Sequence, residues 1–151
     1  MDFKQASEMR YNIQPAIEFM KPVVYADDHY EKNEVIASGH YNGLNYYVKN
    51  IGHMHPTAYV EIPQGHKAFC QNKLDDLECH YGVTFNEMHL GGVDDEGERG
   101  HQFVGWDYAH HGDYIPYYKD GEFLEKHSHR WTTEEIVKEC KEAIDWINEN
   151  I

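Results

Sequence analysis

The sequence is poor in positive charge. Its 151 residues include 13 lysines and arginines against 27 aspartates and glutamates, giving a formal net charge of −14 with the histidines neutral. Proteins that bind nucleic acid through its phosphates need clustered lysine and arginine. The charge balance therefore argues against general nucleic-acid binding and favours a cationic partner or a metal ion. An anionic ligand would need a local group of basic side chains or backbone amides.

The sequence also lacks a long apolar run and a paired-cysteine pattern. No stretch approaches the roughly 18–20 apolar residues that span a bilayer, and residues 1–5 hold no apolar signal core. We therefore expect no membrane partner. The three cysteines are odd in number and form no CxxC pattern, which predicts reduced thiols and a cytoplasmic location.

Common catalytic signatures are missing as well. The sequence has no Walker loop, no GxGxxG, GxSxG or HExxH motif, and no cysteine-based zinc knuckle. Nucleotide hydrolysis by the common machinery is therefore not expected. No catalytic residue is identified by any of these patterns.

What the sequence does contain predicts one α+β domain. A chain of this length is one domain on size grounds, with a core over residues 34–151 and an N-terminal extension over residues 1–33. The extension is expected to form one short amphipathic helix starting near Pro15. Several β-segments follow one another without long helices between them, which favours a small, mostly antiparallel sheet. The predicted strands are residues 35–38, 44–49, 57–62, 81–85 and 101–106, with an Asn-Gly turn after the first.

The last predicted element is an amphipathic helix at the C-terminus. The residues Thr-Thr-Glu-Glu at 132–135 form a capping box, in which a threonine and a glutamate satisfy backbone amides reciprocally. Apolar residues then recur at three- and four-residue spacing, so we expect the helix to cover one face of the sheet. These apolar residues are Ile136, Val137, Cys140, Ile144, Ile147 and Ile151.

Residues 105–114, Gly-Trp-Asp-Tyr-Ala-His-His-Gly-Asp-Tyr, concentrate polar chemistry at the end of a predicted buried strand. If the strand ends near residues 62, 81 and 106 lie side by side, their loops converge. Histidine and aspartate are ligands of zinc, manganese and iron, and a divalent metal held there would activate water. The alternative is structural, since aspartates cap turns and buried histidines bind backbone carbonyls. The candidate ligands are His66, His80, Asp107, His110 and Asp113.

Aromatic and cationic side chains near this stretch indicate a pocket for a nucleotide-like ligand. Tyrosines offer flat faces for stacking, and Tyr114 follows the central loop, with Tyr117 and Tyr118 beyond it. Arg130 and Trp131 come just before the helix cap. The free amides of a helix start favour a phosphate. Core packing is the alternative for most of the 12 tyrosines.

Four segments resemble a family of small proteins from bacteriophages and from bacterial genomes that carry prophages. The most specific segment, residues 105–113, is similar to the family's Gly-aromatic-Asp-x-Ala-His-x-Gly-Asp. The sequence departs from the family pattern at Lys67, where proline is usual, and at Tyr81, which replaces the first glycine of a His-Gly-Gly. The resemblance implies a phage or mobile-element origin, an accessory role and a place in the host bacterial cytoplasm, but no reaction. The other three segments are residues 59–66, residues 74–85 and the C-terminal helix.

These features leave three functions open. The first is an anti-defence protein that sequesters a small nucleotide-derived signal of the host, for which the residues above would form the pocket. The second is a metal-dependent hydrolase of a phosphoester or a nucleotide-like molecule. The third is an acidic protein that blocks a basic host surface, motivated by the carboxylates of a predicted exposed turn at residues 91–100. A homo-oligomer is compatible with all three.

Overall fold

A computed structural model describes residues 13–28, 30–116 and 127–151. Within these ranges, six strands form one antiparallel sheet, and a long helix packs against one of its faces. The strands are β1 (Phe19–Met20), β2 (Asn33–Tyr41), β3 (Leu44–Ile51), β4 (His55–Ile62), β5 (Phe85–Glu87) and β6 (Gln102–Asp107). The helix is α1 (Thr133–Asn150), and a short 3-10 helix covers Asn72–Asp76. The order across the sheet is β1-β2-β3-β4-β6-β5, which confirms the predicted α+β class.

The hairpin of β2 and β3 turns on the predicted Asn-Gly pair. Asn42 and Gly43 have φ angles of 44° and 88°, in the left-handed region that this pair tolerates better than other residues. Both β2 and β3 are longer than the strands predicted at residues 35–38 and 44–49. Every strand pair in the sheet is antiparallel.

Helix α1 begins at the predicted capping box. The Thr132 hydroxyl accepts a hydrogen bond from the Glu135 amide, and the Glu135 carboxylate accepts one from the Thr132 amide. The apolar side of the helix contributes six fully or almost fully buried side chains to the core between helix and sheet. Burial of a branched aliphatic side chain contributes about 1.5–3 kcal/mol, so this interface is a main source of stability. The six are Ile136, Val137, Cys140, Ala143, Ile144 and Ile147.

The alternation of side chains along the strands separates two faces. In β3 and β4 one set packs under α1, including Val48 and Val60. The other set, which includes Tyr47 and Tyr59, packs on the opposite face with Phe103 from β6. This second face is covered by the N-terminal segment and the loop before β6.

The short N-terminal helix predicted near Pro15 is wrong for the described residues. Residues 13–18 form neither a helix nor a strand, and Phe19–Met20 pairs with β2 as the sheet edge. The side chain of Asn45 holds this segment, because it accepts from the Ala16 amide and donates to the Gln14 carbonyl. Much of the predicted extension is thus part of the sheet and its cover.

The strand predicted at residues 81–85 begins later. Residues 79–82 form a turn closed by a hydrogen bond from the Gly82 amide to the Cys79 carbonyl, 3.0 Å long. β5 starts at Phe85. Tyr81 adopts a φ of 59°, the left-handed conformation natural to glycine, so the tight turn forms although tyrosine replaces the glycine.

Candidate functional site

The candidate site lies where β6 ends. Gly105 allows β6 to approach β4 closely, because a Cβ atom there would lie 2.5 Å from the carbonyl oxygen of Ala58. After Asp107 the chain turns, and the Asp113 amide donates to the His110 carbonyl over 2.9 Å. Gly112 provides the positive φ of 94° in this turn. The residue pattern of 105–113 therefore builds a strand end followed by one tight turn.

Two further segments meet this turn. The Thr84 amide donates to the Gly105 carbonyl over 2.9 Å, which holds the loop carrying His80 beside β6. On the other side, the Tyr114 amide donates to the His129 carbonyl over 2.9 Å. This second contact brings Trp131, just before α1, against the turn.

Asp113 is the point at which the three segments converge. Its side chain is 3% exposed. The indole nitrogen of Trp131 donates to Oδ1 over 2.9 Å, and the His110 amide donates to Oδ2 over 2.9 Å. The Nε2 atom of His80 lies 2.9 Å from both carboxylate oxygens. A buried carboxylate with polar contacts fixed on three sides has little freedom to turn.

His110 completes a group that can hold a metal ion. One ligand atom from each of His80, His110 and Asp113 can be chosen so that all three lie within 4.8 Å of one another. The Nδ1 atom of His110 lies 3.4 Å from Asp107 Oδ1 and 3.8 Å from Asp113 Oδ2. This Nδ1 atom is buried and has no hydrogen-bond partner among the described residues. Four of the five metal ligands suggested by the sequence are therefore close together.

Aromatic rings enclose the two histidines. The His80 ring stacks on Tyr108 at 4.7 Å between centroids, and the Trp131 ring approaches it at 5.0 Å. The Tyr81 ring lies over His110 at 4.4 Å and is nearly parallel to it. Tyr81 is 60% exposed, so its ring forms the outer cover of the site.

Tyr108 links the site to α1. Its hydroxyl donates to the Glu139 carboxylate over 3.0 Å and accepts from the Trp106 indole over 2.9 Å. Burial, followed by the nearby charge of Glu139, raises the pKa of Tyr108 far above its usual range. Burial also raises the pKa of Glu139, against the opposing effects of Tyr108 and His80. The hydroxyl therefore stays protonated and anchors the ring beneath His80.

The structural role expected for the aspartates is also present. Asp107 Oδ1 accepts from the Ala109 amide over 3.1 Å, and its Oδ2 accepts from the Thr84 hydroxyl over 3.1 Å. Asp113 closes the turn of residues 110–113 from its end, because its carboxylate accepts from the His110 amide. Hydrogen bonds of this kind also orient metal ligands in metalloproteins. The same contacts thus stabilise the turn and fix both carboxylates.

His66 lies away from this group. It is buried, its Nδ1 accepts from the Ala68 amide, and its Nε2 lies 3.3 Å from the side-chain oxygen of Asn148. Burial is the main reason that the pKa of His66 is lowered. Asn148 is four turns along α1, roughly 22 Å from the helix start beside Trp131. Including His66 in the cluster was wrong, because the loop after β4 runs toward the opposite end of the helix.

The aromatic and cationic candidates form a neighbouring groove. The Arg130 guanidinium lies 4.7 Å from the Tyr114 ring centroid and 5.3 Å from that of Tyr25. A cavity of about 520 Å³ is lined by Tyr25, Arg130, Trp131 and the first residues of α1, and we call it the Arg130 groove. Tyr114 itself is buried. Tyr117 and Tyr118 lie outside the described residues.

The predicted exposed acidic turn is only partly exposed. Asp94 is buried, and its carboxylate accepts from the amides of Glu98 and Arg99. This carboxylate therefore stabilises the loop backbone and does not contribute to an acidic surface. Only the neighbouring carboxylates of the turn remain available to a basic partner.

Sequence reasoning missed a second polar cluster, centred on Glu61. The signal is the alternation in β3 and β4, where Asn45, Tyr47 and Glu61 all lie on the face opposite α1. A fully buried glutamate in a strand is uncommon unless it is paired. Arg99, which pairs with it, stands in the loop before β6, and nothing in its local sequence marks this contact.

No helix within the described residues has both the length and the apolar character needed to cross a membrane. Comparison of the chain with protein-family models, curated proteins and solved structures yielded no match.

Proposed function

We propose that the protein binds a divalent transition metal ion of the zinc class at His80, His110 and Asp113, and that this centre acts on a phosphoester or nucleotide-like small molecule. The observation that carries the proposal is the buried Nδ1 atom of His110. Within the part of the chain that the structure describes it has no hydrogen-bond partner, yet it lies within 4 Å of two carboxylates.

A buried ring nitrogen without a hydrogen-bond partner is unfavourable. A metal ion among these groups would bind the nitrogen and the carboxylates together. In a tetrahedral site with bonds of 2.0–2.1 Å, neighbouring ligand atoms are about 3.3 Å apart. The spacings of 2.9, 3.4 and 3.8 Å among the donors of His80, His110, Asp107 and Asp113 bracket this value.

The ligand types also favour this class of metal. Two imidazoles with one or two carboxylates suit zinc, manganese or iron, and thiolate-selective metals less well. With three protein ligands, a catalytic zinc ion keeps one position open and lowers the pKa of a water there to about 7. Asp107, hydrogen-bonded to Thr84 at the edge of the cluster, is placed to serve as a fourth ligand or as a base.

Metal binding is tested on the purified full chain. We expect one equivalent of zinc, manganese or iron by elemental analysis, and an increase in melting temperature when zinc is added to chelator-treated protein. The variant His110→Ala should lose both effects. The matched control is His111→Ala, which removes an exposed neighbouring imidazole and should retain them. Equal behaviour of the two variants would contradict the assignment.

The reaction is tested by mixing the metal-loaded protein with nucleotides and cyclic nucleotides and separating the supernatant by HPLC. New products that disappear in His110→Ala would support hydrolysis. Loss of a nucleotide that returns intact after heat denaturation would instead support sequestration. No loss of any nucleotide would contradict both small-molecule functions and leave the acidic inhibitor as the remaining candidate.

The second candidate function is this sequestration, and the Arg130 groove favours it. In this cavity at the helix start, the Arg130 guanidinium supplies a cation, and Tyr25 and Trp131 supply aromatic rings, the two features that bind a nucleotide. In a phage setting, such capture would counter a host signal. Arg130→Gln should then abolish nucleotide retention without affecting the zinc content.

A further inference from the structure

A second concave site lies at the other end of β6. A cleft of about 860 Å³ crosses the face of the sheet opposite α1, between the N-terminal segment and the loop that precedes β6. Its floor includes Glu61 and His101, and His101 directly precedes the start of β6. The metal cluster begins at Asp107, the last residue of β6. These two ends of β6 are about 17 Å apart.

The floor of this cleft is a buried ionic network. Glu61 is fully buried, and its carboxylate lies 2.6 Å from the Tyr47 hydroxyl, 2.7 Å from His101 Nδ1 and 3.0 Å from Arg99 Nη1. Asn45 adds a fourth donor at 3.1 Å. Although burial raises the pKa of Glu61, these hydrogen bonds outweigh it and hold the pKa at about 2. The carboxylate is therefore charged at neutral pH, and it fixes its donors.

Arg99 carries cationic character into the cleft. Its side chain is 41% exposed and lines the cleft. Nη1 donates a hydrogen bond to the Glu61 carboxylate, and Nη2 donates one to the Val93 carbonyl. The guanidinium has five N–H groups, so donors remain for a ligand. His101 also lines the cleft, and among the described residues only its Nδ1 is engaged, on Glu61.

The walls of the cleft are apolar. Ile17 and Phe19 of the N-terminal segment are 82% and 36% exposed, and Val35 and Val93 also line the cleft. Exposed apolar side chains around fixed polar groups are typical of sites for small organic molecules. The cleft volume is within the usual range of 300–1,000 Å³.

We propose that this cleft binds a small organic anion with an apolar body, whose charged group is bound by Arg99. The net charge of −14 repels anions in general, so an anion needs a fixed local cation such as this one. Glu61 acts as a positioning residue, because its hydrogen bonds hold Arg99 and His101 rather than the ligand. The site is independent of the metal cluster and of the Arg130 groove.

The test compares two fluorescent probes on the full chain. Anilinonaphthalene sulfonate is an apolar anion, and phenylnaphthylamine is its uncharged parent. We expect one equivalent of each to bind the native protein. Arg99→Gln should weaken binding of the sulfonate about tenfold, as expected for loss of a charge-assisted hydrogen bond, and leave binding of the parent unchanged.

Three further variants make the test decisive. Lys138→Gln, the control, removes one positive charge from the exposed side of α1, outside the cleft, and should not weaken either probe. The double variant Glu61→Gln with Arg99→Gln removes both charges, which avoids an unpaired buried carboxylate, and should repeat the selective loss. Val93→Trp narrows the cleft and should weaken both probes.

Selective loss of the sulfonate in both Arg99 variants, together with loss of both probes in Val93→Trp, supports the proposal. Sulfonate binding that withstands Arg99→Gln or Val93→Trp would overturn it. Equal loss of both probes in the single and the double Arg99 variant would also overturn it, because Arg99 would then only maintain the shape of the loop.

Discussion

Replacement of Glu61 by glutamine should reveal how much stability the buried network contributes. The pKa of Glu61 is about 2 in the folded protein, against an ordinary value of 4.5. A lowered folded pKa stabilises the protein above the unfolded pKa, and this contribution is lost as the pH falls toward the folded pKa. The difference corresponds to roughly 3 kcal/mol in the free energy of unfolding at pH 7.

The same linkage gives the pH dependence of the variant. Glutamine has the shape of the protonated carboxyl group but cannot gain a charge. At pH 3 wild type should have lost about 2 of the roughly 3 kcal/mol, so the gap between wild type and Glu61→Gln narrows to about 1 kcal/mol. Other carboxylates titrate in both proteins and cancel in the comparison.

Urea unfolding followed by tryptophan fluorescence at pH 7, 5, 4 and 3 measures this gap. Glu87→Gln is the matched control, since Glu87 is an exposed glutamate on β5, and its effect should stay within about 0.5 kcal/mol. A gap below about 1 kcal/mol at pH 7, or the same gap at pH 7 and pH 3, would refute the reasoning.

Three further predictions test the site and its scaffold. Trp131→Phe removes the indole donor to Asp113 and should weaken zinc binding about tenfold by calorimetry, as is typical for an outer hydrogen bond to a ligand; unchanged affinity would contradict this role. Gly105→Ala should destabilise the protein by more than about 3 kcal/mol, because its Cβ meets backbone at 2.5 Å. In the matched variant Gly112→Ala the added Cβ has no described atom within 4 Å and only the positive φ is unfavourable, so we expect a loss of about 1 kcal/mol in the free energy of unfolding. Similar losses in Gly105→Ala and Gly112→Ala would be evidence against the close strand contact. Thr132→Ala should cost about 1 kcal/mol in urea unfolding through loss of the helix cap, and a neutral effect would contradict the capping box.

Local patterns explain which parts of the fold could be predicted. The capping box, the apolar spacing of α1 and the Asn-Gly turn each act over a few residues, so the sequence displays them directly. The N-terminal segment could not be predicted in this way. The position of this segment depends on two hydrogen bonds to Asn45, about 30 residues away in the chain. No local pattern encodes that contact.

The same distinction between local patterns and distant contacts applies to the candidate site. Asp107, His110 and Asp113 lie within one turn, and His80 was identified as a candidate from its loop, so their proximity could be anticipated. His66 looked equivalent, but the loop after β4 runs toward Asn148 at the far end of α1. The pairing of Glu61 with a distant arginine was missed because partners across a sheet face are set by tertiary contacts.

The central claim is a metal ion held by His80, His110 and Asp113. Anomalous X-ray scattering at the zinc absorption edge, from crystals of the zinc-loaded full chain, tests it most directly. The proposed site predicts one strong peak at about 2.0–2.2 Å from His80 Nε2, His110 Nδ1 and an Asp113 oxygen. A zinc-loaded crystal with no peak among these three side chains, or with peaks only at exposed histidines elsewhere, would contradict it.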